Sequence, residues 1–258
     1  MTPILGGAPL PGPDPTSNID TPKVVVAVGA HPDDIEFHCG ATLARWAMAG
    51  SVIHLVVCTD GSKGTWDATA DTGEVAQLRR SEAADAAGAL GVTGEVMLLG
   101  ATDGELGLAT SSSQELHDGL VGIIRRLQPD VVIGHDPWRR YRLHPDHRAA
   151  GWLTVDACVA ARDPHFLVDR GRAHRPSWLL LFEADEPDHV EHAPPTAMKV
   201  KVDALLAHRS QWRSTLFIDD NDDGTQHDAF VNGVHEAAEA VGAASRSGPG
   251  ESFKRLAL

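Results

Sequence analysis

Two short segments concentrate the side chains that could carry out chemistry, and both are rich in histidine and aspartate. The first is AHPDDIEFH (Ala30 to His38), and the second is HDPWRRYRLHPDH (His135 to His147). Zinc prefers histidine nitrogen and carboxylate oxygen, and a catalytic zinc site uses three protein ligands and leaves one position for water. His31, one aspartate of the first segment and one histidine of HPDH supply that number. Zinc lowers the pKa of a bound water to about 7, and a nearby carboxylate can then act as general base.

Spacing alone leaves open which aspartate and which histidine of HPDH would bind the metal. Asp33 and Asp34 are adjacent and point in different directions, so one could bind the ion while the other takes a proton. His144, three residues before His147, would be free to protonate the leaving group or to stabilise the oxyanion. Each cluster alone has a simpler interpretation, because histidine and aspartate often lie in turns before helices. Two such clusters at strand ends of one sheet favour a metal site.

The segments that must position these clusters alternate between apolar strands and helices. Strands are predicted at Val24 to Val28, Ser51 to Cys58, Glu95 to Gly100, Val131 to Gly134 and Arg175 to Phe182. Strands separated by about one helix form βαβ units, so we expect an α/β fold, a Rossmann-like three-layer α/β/α arrangement with a mostly parallel sheet. The two clusters follow the first and fourth of these strands, and ligands bind at the carboxyl ends of such strands.

The ends of the chain carry weaker patterns. Residues 1–22 are rich in proline and glycine and are expected to be a flexible leader, whereas residues 23–258 are expected to form one domain. EADEPDHVEHAPP is expected to be loop and KVKVDALLAHRSQW helix, and the chain is predicted to end in a mostly helical stretch after Asn232.

Composition excludes several classes of function. The formal net charge of -14 disfavours nucleic acid as a partner, because phosphate binding needs a surplus of lysine and arginine. The apolar runs are far shorter than the roughly 20 residues that span a bilayer, so no membrane partner is expected. Three cysteines without a C-x-x-C pair favour a reducing compartment, and we expect a cytoplasmic protein. A small-molecule substrate is the expected partner, and a homo-oligomer is left open.

The two histidine clusters resemble the motifs of a known family. AHPDD followed by CGATLARW, together with HPDH, is similar to the PIG-L/LmbE family of metal-dependent N-deacetylases. The resemblance continues through TDGSKGT, LRRSEAADAAGALGV and AHRSQ, and so covers the chain from Val24 to about Gln211. Members act mainly on N-acetylglucosaminyl groups and include mycothiol and bacillithiol pathway deacetylases and mycothiol conjugate amidase. The resemblance implies an LmbE-like fold and an amino sugar substrate that loses acetate.

The resemblance also implies a role for individual residues. The implied zinc ligands are His31, Asp34 and His147. Asp33 would be the general base, and His144 would stabilise the tetrahedral oxyanion and act as the acid, with Asp146 orienting His144. Other divalent metals accept the same ligands, so zinc is the first expectation and another divalent ion the second.

Further residues are candidates for substrate binding. Arg79, in R-x-x-E, and Asp103, after the third strand, match family residues that hold sugar hydroxyls. Tyr141 lies just before HPDH and is a candidate to assist at the oxyanion, although an ordinary packed tyrosine fits its position equally well. The chain departs from the commoner AHPDDE by placing Ile35 after the aspartates, and His38 stands where a small residue is more usual.

Three functions are consistent with this pattern. The first is removal of an N-acetyl group from an N-acetylglucosaminyl compound, and the second is an amidase that cuts a larger acyl group from an amino sugar conjugate. The third is a non-catalytic module that binds a metal or a sugar. The presence of both Asp33 and His144 argues against the third, because a binding protein needs no base and acid beside the metal.

Overall fold

The computed structural model describes residues 10–12, 14–107 and 110–258. The strands are β1 (Thr16–Ser17), β2 (Val24–Gly29), β3 (Val52–Thr59), β4 (Val96–Ala101), β5 (Val131–His135), β6 (Trp178–Phe182), β7 (His189–His192) and β8 (Gly250–Ala257). The α-helices are α1 (Asp34–Met48), α2 (Thr72–Leu90), α3 (Thr110–Leu127), α4 (Pro145–Arg162), α5 (Pro195–Ala207) and α6 (Thr225–Ser245). The eight strands of these described residues form one sheet, in the order β1-β7-β8-β6-β5-β2-β3-β4.

The sheet is mostly parallel, and it is buried on both faces. β2 lies between β3 and β5, and both pairings are parallel. Along β2, Val25 and Ala27 pack into one apolar cluster, and Val26 and Val28 pack into the other. The first cluster includes side chains of α1, α2, α5 and α6, and the second includes side chains of α3 and α4. Because side chains alternate along a strand, this arrangement confirms the predicted three-layer α/β/α fold.

The prediction for the C-terminal part was wrong in two places. The segment expected to be loop contains β7, and the chain ends in β8 after α6, where only helix was expected. β8 runs antiparallel between β6 and β7. The polar residues at the start of β8 are buried, because the carboxylate of Glu251 accepts hydrogen bonds from the backbone N–H and the hydroxyl of Thr42 and from Lys201. Tertiary partners therefore stabilise a strand that its own sequence does not indicate.

Part of the segment assigned to a leader packs against the sheet. Thr16 and Ser17 pair with β7, and Ile19 is buried. Residues 1–9 and 13 lie outside the described residues. Among the described residues, no helix combines the length and the apolar composition that crossing a membrane requires.

Candidate metal centre

Neighbouring strand ends bring the two histidine clusters together. β2 and β5 are adjacent and parallel, so the segments that follow them leave the sheet at the same edge. The turn after β2 is tight, because a side-chain carbon at Gly29 would lie 3.0 Å from Cγ1 of Ile35. Asp33 ends this turn with φ at 110°, which is unusual for a residue other than glycine, and Asp34 begins α1. Unusual backbone conformations of this kind cluster at functional sites.

The three residues that the resemblance assigns to zinc lie together. His31 Nδ1 is 3.1 Å from His147 Nε2 and 3.5 Å from Asp34 Oδ2. His147 Nε2 is 3.4 Å from Asp34 Oδ1. Ligand atoms that bind a tetrahedral zinc ion at about 2.0–2.1 Å lie about 3.3 Å from one another. Each of the three distances is close to this value, with the two histidines facing different oxygens of the Asp34 carboxylate, so these side chains could hold one such ion.

Two carboxylates fix the orientation of the His31 ring. His31 Nε2 lies 3.1 Å from Asp146 Oδ2 and 3.2 Å from Asp103 Oδ1, so this nitrogen carries a proton. The Nδ1 atom, which faces His147 and Asp34, is left as the position where a metal can bind. Burial lowers the pKa of His31, but hydrogen bonds to Asp103, Asp146 and Asp34 outweigh burial and raise the pKa well above its ordinary value. Without a metal, these contacts favour the protonated ring.

Other groupings of histidine and acidic side chains overlap with this one. Among the described residues, three sets have ligand atoms within 4.8 Å of one another: His31, His144 and His147; Asp34, His135 and His147; and His31, Asp103 and Asp146. His135 is a poorer ligand than His31, because its Nε2 accepts a hydrogen bond from the Ala30 backbone N–H at 3.3 Å. Its Nε2 also lies 3.2 Å from Asp34 Oδ2, so His135 contacts the proposed ligand Asp34.

Asp33 lies beside this group and is held by Arg79. Nη2 of Arg79 donates to Asp33 Oδ2 at 3.0 Å and to the Pro32 carbonyl, and Nη1 donates to the Gly61 carbonyl at 3.2 Å. Gly61 has φ at 65°, and a side-chain carbon there would lie 2.9 Å from Arg79 Nη1, so glycine leaves room for the guanidinium. Burial raises the pKa of Asp33 to about 6, against the lowering effect of Arg79. Such a carboxylate can take up a proton near neutral pH.

Asp146, which the resemblance assigns to orienting His144, contacts His144 through its backbone and His31 through its carboxylate. Its carboxylate contacts His31 Nε2 and accepts hydrogen bonds from the backbone N–H groups of Gly104 at 2.6 Å and Leu106 at 3.1 Å. The backbone N–H of Asp146 donates to His144 Nδ1 at 3.3 Å, because His144 is the N-cap residue of α4. The His144 ring packs edge-on against His31, with ring centres 4.6 Å apart. The side chain of a helix N-cap residue bonds the backbone of the first turn, which leaves the carboxylate of Asp146 free to face His31.

The site opens into a cavity of about 880 Å³, near the upper end of the roughly 300–1,000 Å³ that is usual for ligand pockets. Asp103 lines it, but one of its oxygens contacts His31 and the other accepts a hydrogen bond from the Lys63 backbone. Tyr141 lines the cavity at its outer edge and is 94% exposed, so it is not packed beside His31. Trp66, 88% exposed, also lines the cavity. These positions define the space that a substrate would enter.

The sequence analysis missed Glu183 and gave His135 no role. Glu183 follows β6, and its carboxylate accepts hydrogen bonds from Arg139 at 2.8 Å and Arg142 at 2.6 Å. Burial raises the pKa of Glu183, but its histidine and arginine neighbours, led by His38, outweigh burial and hold the pKa well below its usual range. The signal that could have found both residues is their position, since each lies at the carboxyl end of a strand.

The fold and the site together define an α/β protein with a histidine and aspartate pocket that could hold a metal at the carboxyl ends of its central strands. The family model described as GlcNAc-PI de-N-acetylase (PIG-L) matches residues 26–158. The chain belongs to the PIG-L family, which confirms the resemblance seen in its sequence.

Individual relatives agree with this assignment. The diacetylchitobiose deacetylase of Thermococcus kodakarensis is 31% identical over 205 residues, which cover 74% of this chain and 70% of that protein. The 1D-myo-inositol 2-acetamido-2-deoxy-alpha-D-glucopyranoside deacetylase of Thermomonospora curvata is 33% identical, and the match spans 56% of this chain and 55% of the relative. The solved structure of N,N'-diacetylchitobiose deacetylase from Pyrococcus horikoshii superposes on this chain with a TM-score of 0.78 at 28% identity. The superposition covers 92% of this chain and 84% of the deacetylase.

Proposed function

We propose that this protein is a zinc-dependent N-deacetylase that removes the acetyl group from an N-acetylglucosaminyl group of a small molecule. The observation that carries the proposal is the spacing of His31, Asp34 and His147, with Asp33 beside them in an open cavity. Relatives named as deacetylases of diacetylchitobiose and of a 2-acetamido-2-deoxyglucopyranoside support the substrate class. Hydrolysis adds water across the amide C–N bond and gives acetate and a free amine.

His31 Nδ1, the Asp34 carboxylate and His147 Nε2 would hold the ion. A bound zinc ion would make water more acidic and polarise the acetyl carbonyl. Their donor set of two imidazoles and one carboxylate is typical of catalytic zinc sites. Asp103 and Asp146 keep the His31 proton on Nε2 and so leave Nδ1 available to the metal.

Asp33 would act as the general base. Its carboxylate takes a proton from the attacking water, and its raised pKa matches that task at neutral pH. Arg79 is a positioning residue for this base, because its guanidinium bonds the Asp33 carboxylate and two backbone carbonyls. Because both terminal nitrogens of the Arg79 guanidinium make these hydrogen bonds, we propose that its main role is to hold Asp33. The contact with sugar hydroxyls that the resemblance implies would be a lesser role.

His144 would provide the acid. Its Nδ1 accepts the Asp146 backbone N–H, so the proton of the neutral ring lies on Nε2, where it would stabilise the oxyanion by a hydrogen bond. Burial and the neighbouring His31 lower the pKa of the His144 imidazolium, so the doubly protonated ring would readily pass a proton to the leaving amine. Asp103 would contact the sugar from the cavity wall, and Tyr141 would contact it from the outer edge.

Several expectations about the whole protein stay proposals. We propose that residues 23–258 act as one domain and that the protein works in the cytoplasm, in keeping with three buried free cysteines. Its partner would be a small amino sugar compound, and self-association into a homo-oligomer is a further proposal. Neither nucleic acid nor a membrane is a proposed partner.

The cavity volume also leaves room for an amidase that removes a larger acyl group. The test is release of acid and free amine by the zinc-loaded protein from glucosaminides that carry acetyl, butanoyl or larger acyl groups, each with several aglycones. Fastest cleavage of the acetyl compounds supports the deacetylase. Faster cleavage of the larger acyl groups favours the amidase. Binding of these compounds without cleavage of any of them would contradict both and favour a binding module.

A further inference from the structure

The carboxylate of Glu183 lies beside His135 and the implied ligand His147, and the implied ligand set gives it no role. Its Oε2 lies 3.4 Å from His135 Nδ1 and 3.9 Å from His147 Nδ1. Its Oε1 accepts hydrogen bonds from Arg139 and Arg142. The side chain is 10% exposed, so these contacts are shielded from solvent.

The backbone of Glu183 is in an unfavourable conformation. Its φ is 56°, in the left-handed region that glycine and asparagine favour and glutamate does not. Phe182, the last residue of β6, pairs with His135 at the end of β5, so this turn places the carboxylate directly beside the histidine. Strain of this kind persists where the surrounding structure requires it, and it points to a functional side chain.

The chemistry of His147 requires an acceptor at this position. A neutral imidazole that binds a metal through Nε2 keeps its proton on Nδ1, and that proton needs a hydrogen-bond acceptor. In the structure Arg142 Nη2 contacts Nδ1 of His147, but a guanidinium has donors only. Among the described residues, the carboxylate on this side of the ring is that of Glu183.

His135 connects the same carboxylate to a second ligand. Nδ1 of His135 faces Oε2 of Glu183 at 3.4 Å, and both atoms are buried without a hydrogen-bond partner among the described residues. Nε2 of the same ring lies 3.2 Å from Asp34 Oδ2. Glu183 thus lies beside one nitrogen of a ring whose other nitrogen contacts the Asp34 carboxylate.

We propose that Glu183 is a positioning residue of the metal centre, which accepts the Nδ1 proton of His147 when metal binds and holds His135 against Asp34. The inference rests on the proposed metal site and goes beyond it, because it assigns a role to a residue that is not one of the three implied ligands. Arg139 and Arg142 keep the carboxylate charged and in place. Nδ1 of His147 contacts Arg142 in this structure and would turn to the carboxylate, 3.9 Å away, when a metal is held on Nε2.

The first test compares zinc affinity in Glu183→Gln and in the wild type, by competition with a chromophoric chelator. Glutamine keeps the size of the side chain but loses its charge, and we expect zinc to bind about 10- to 100-fold more weakly. The control is Asp185→Asn. Asp185 lies two residues after Glu183, and its carboxylate pairs with Arg140. Affinity in this control should change by no more than about fivefold, because the Arg140 side chain is exposed and ion pairs at the surface contribute little. Urea unfolding of the metal-free proteins separates lost affinity from lost folding.

The second test uses the wild type alone and so does not depend on whether the variant folds. Nitrogen NMR of the zinc-loaded protein reports which ring nitrogen of His147 carries the proton, and we expect Nδ1–H. Unchanged zinc affinity in a folded Glu183→Gln would overturn the inference while leaving the metal site intact, whereas a proton on Nε2 would overturn both the inference and the proposed binding of the metal through that atom. Absence of zinc binding by the wild type would overturn both the inference and the proposed function.

Discussion

Replacing Asp146 with asparagine should weaken both the fold and the metal site, because one carboxylate serves three buried donors. Oδ2 of Asp146 faces His31 Nε2 and accepts the Gly104 N–H, and Oδ1 accepts the Leu106 N–H. Asparagine offers one oxygen and one NH2 group. In either orientation of the amide, the NH2 group faces at least one buried donor, and Asp146 is fully buried.

The magnitude follows from these contacts. A buried donor without an acceptor costs about 1–3 kcal/mol, and the remaining hydrogen bonds lose the added strength of a charged acceptor. We expect the free energy of unfolding of the metal-free protein to fall by about 2–4 kcal/mol, which lowers Tm by about 5–10 °C in a chain of this size. Zinc should bind about 10- to 100-fold more weakly, because the His31 ring loses a partner that orients it.

The assay is urea unfolding of the metal-free protein, followed by zinc competition with a chelator on the folded variant. Asp156→Asn is the matched control, since Asp156 lies on the same helix and is exposed. We expect the control to stay within about 0.5 kcal/mol of the wild type. The reasoning is refuted if Asp146→Asn also stays within that range and binds zinc as tightly as the wild type.

Three further predictions concern protons and the acid. Zinc binding should release protons and weaken as pH falls, because Asp103, Asp146 and Asp34 hold the pKa of His31 high and the ion must displace the Nδ1 proton of His31. Calorimetry in buffers of different ionisation enthalpy measures the number of protons released, and zinc binding without proton release would contradict the prediction. Turnover should fall as pH drops through the pKa of Asp33, because the general base must be ionised. This pKa is about 6 without metal, and a bound zinc ion would lower it. A rate that rises toward acid pH would argue against Asp33 as the base. His144→Gln should lower kcat by about 10²- to 10⁴-fold and leave zinc affinity nearly unchanged; loss of zinc instead would make His144 a ligand.

Much of the fold could be predicted from local sequence. β2, β3, β5 and β6 are short apolar runs buried on both faces, so their patterns indicate strands without tertiary information. β8 could not be found this way. It begins with Gly250, Glu251 and Ser252, which are buried only because Lys201 and Thr42 lie opposite Glu251.

Likewise, some residues of the site could be predicted from local sequence and others could not. His31, Asp34 and His147 are assigned by two compact motifs, and the structure brings their ligand atoms together. The partner of Asp146 could not be read from sequence, because HPDH places it next to His144 while the fold brings it to His31. Glu183 is distant in sequence from both motifs, and only the pairing of β5 with β6 brings it near His147.

The most direct test of the proposed function is acetate release from an N-acetylglucosaminide by zinc-loaded wild type and zinc-loaded Asp33→Asn, with the metal content of both measured. Asparagine can still accept the Arg79 hydrogen bond, so the variant should fold and keep its metal. We predict that the wild type releases acetate and that the variant is about 10²- to 10⁴-fold slower. No acetate from the folded, zinc-loaded wild type, or equal rates for the two proteins, would contradict the account.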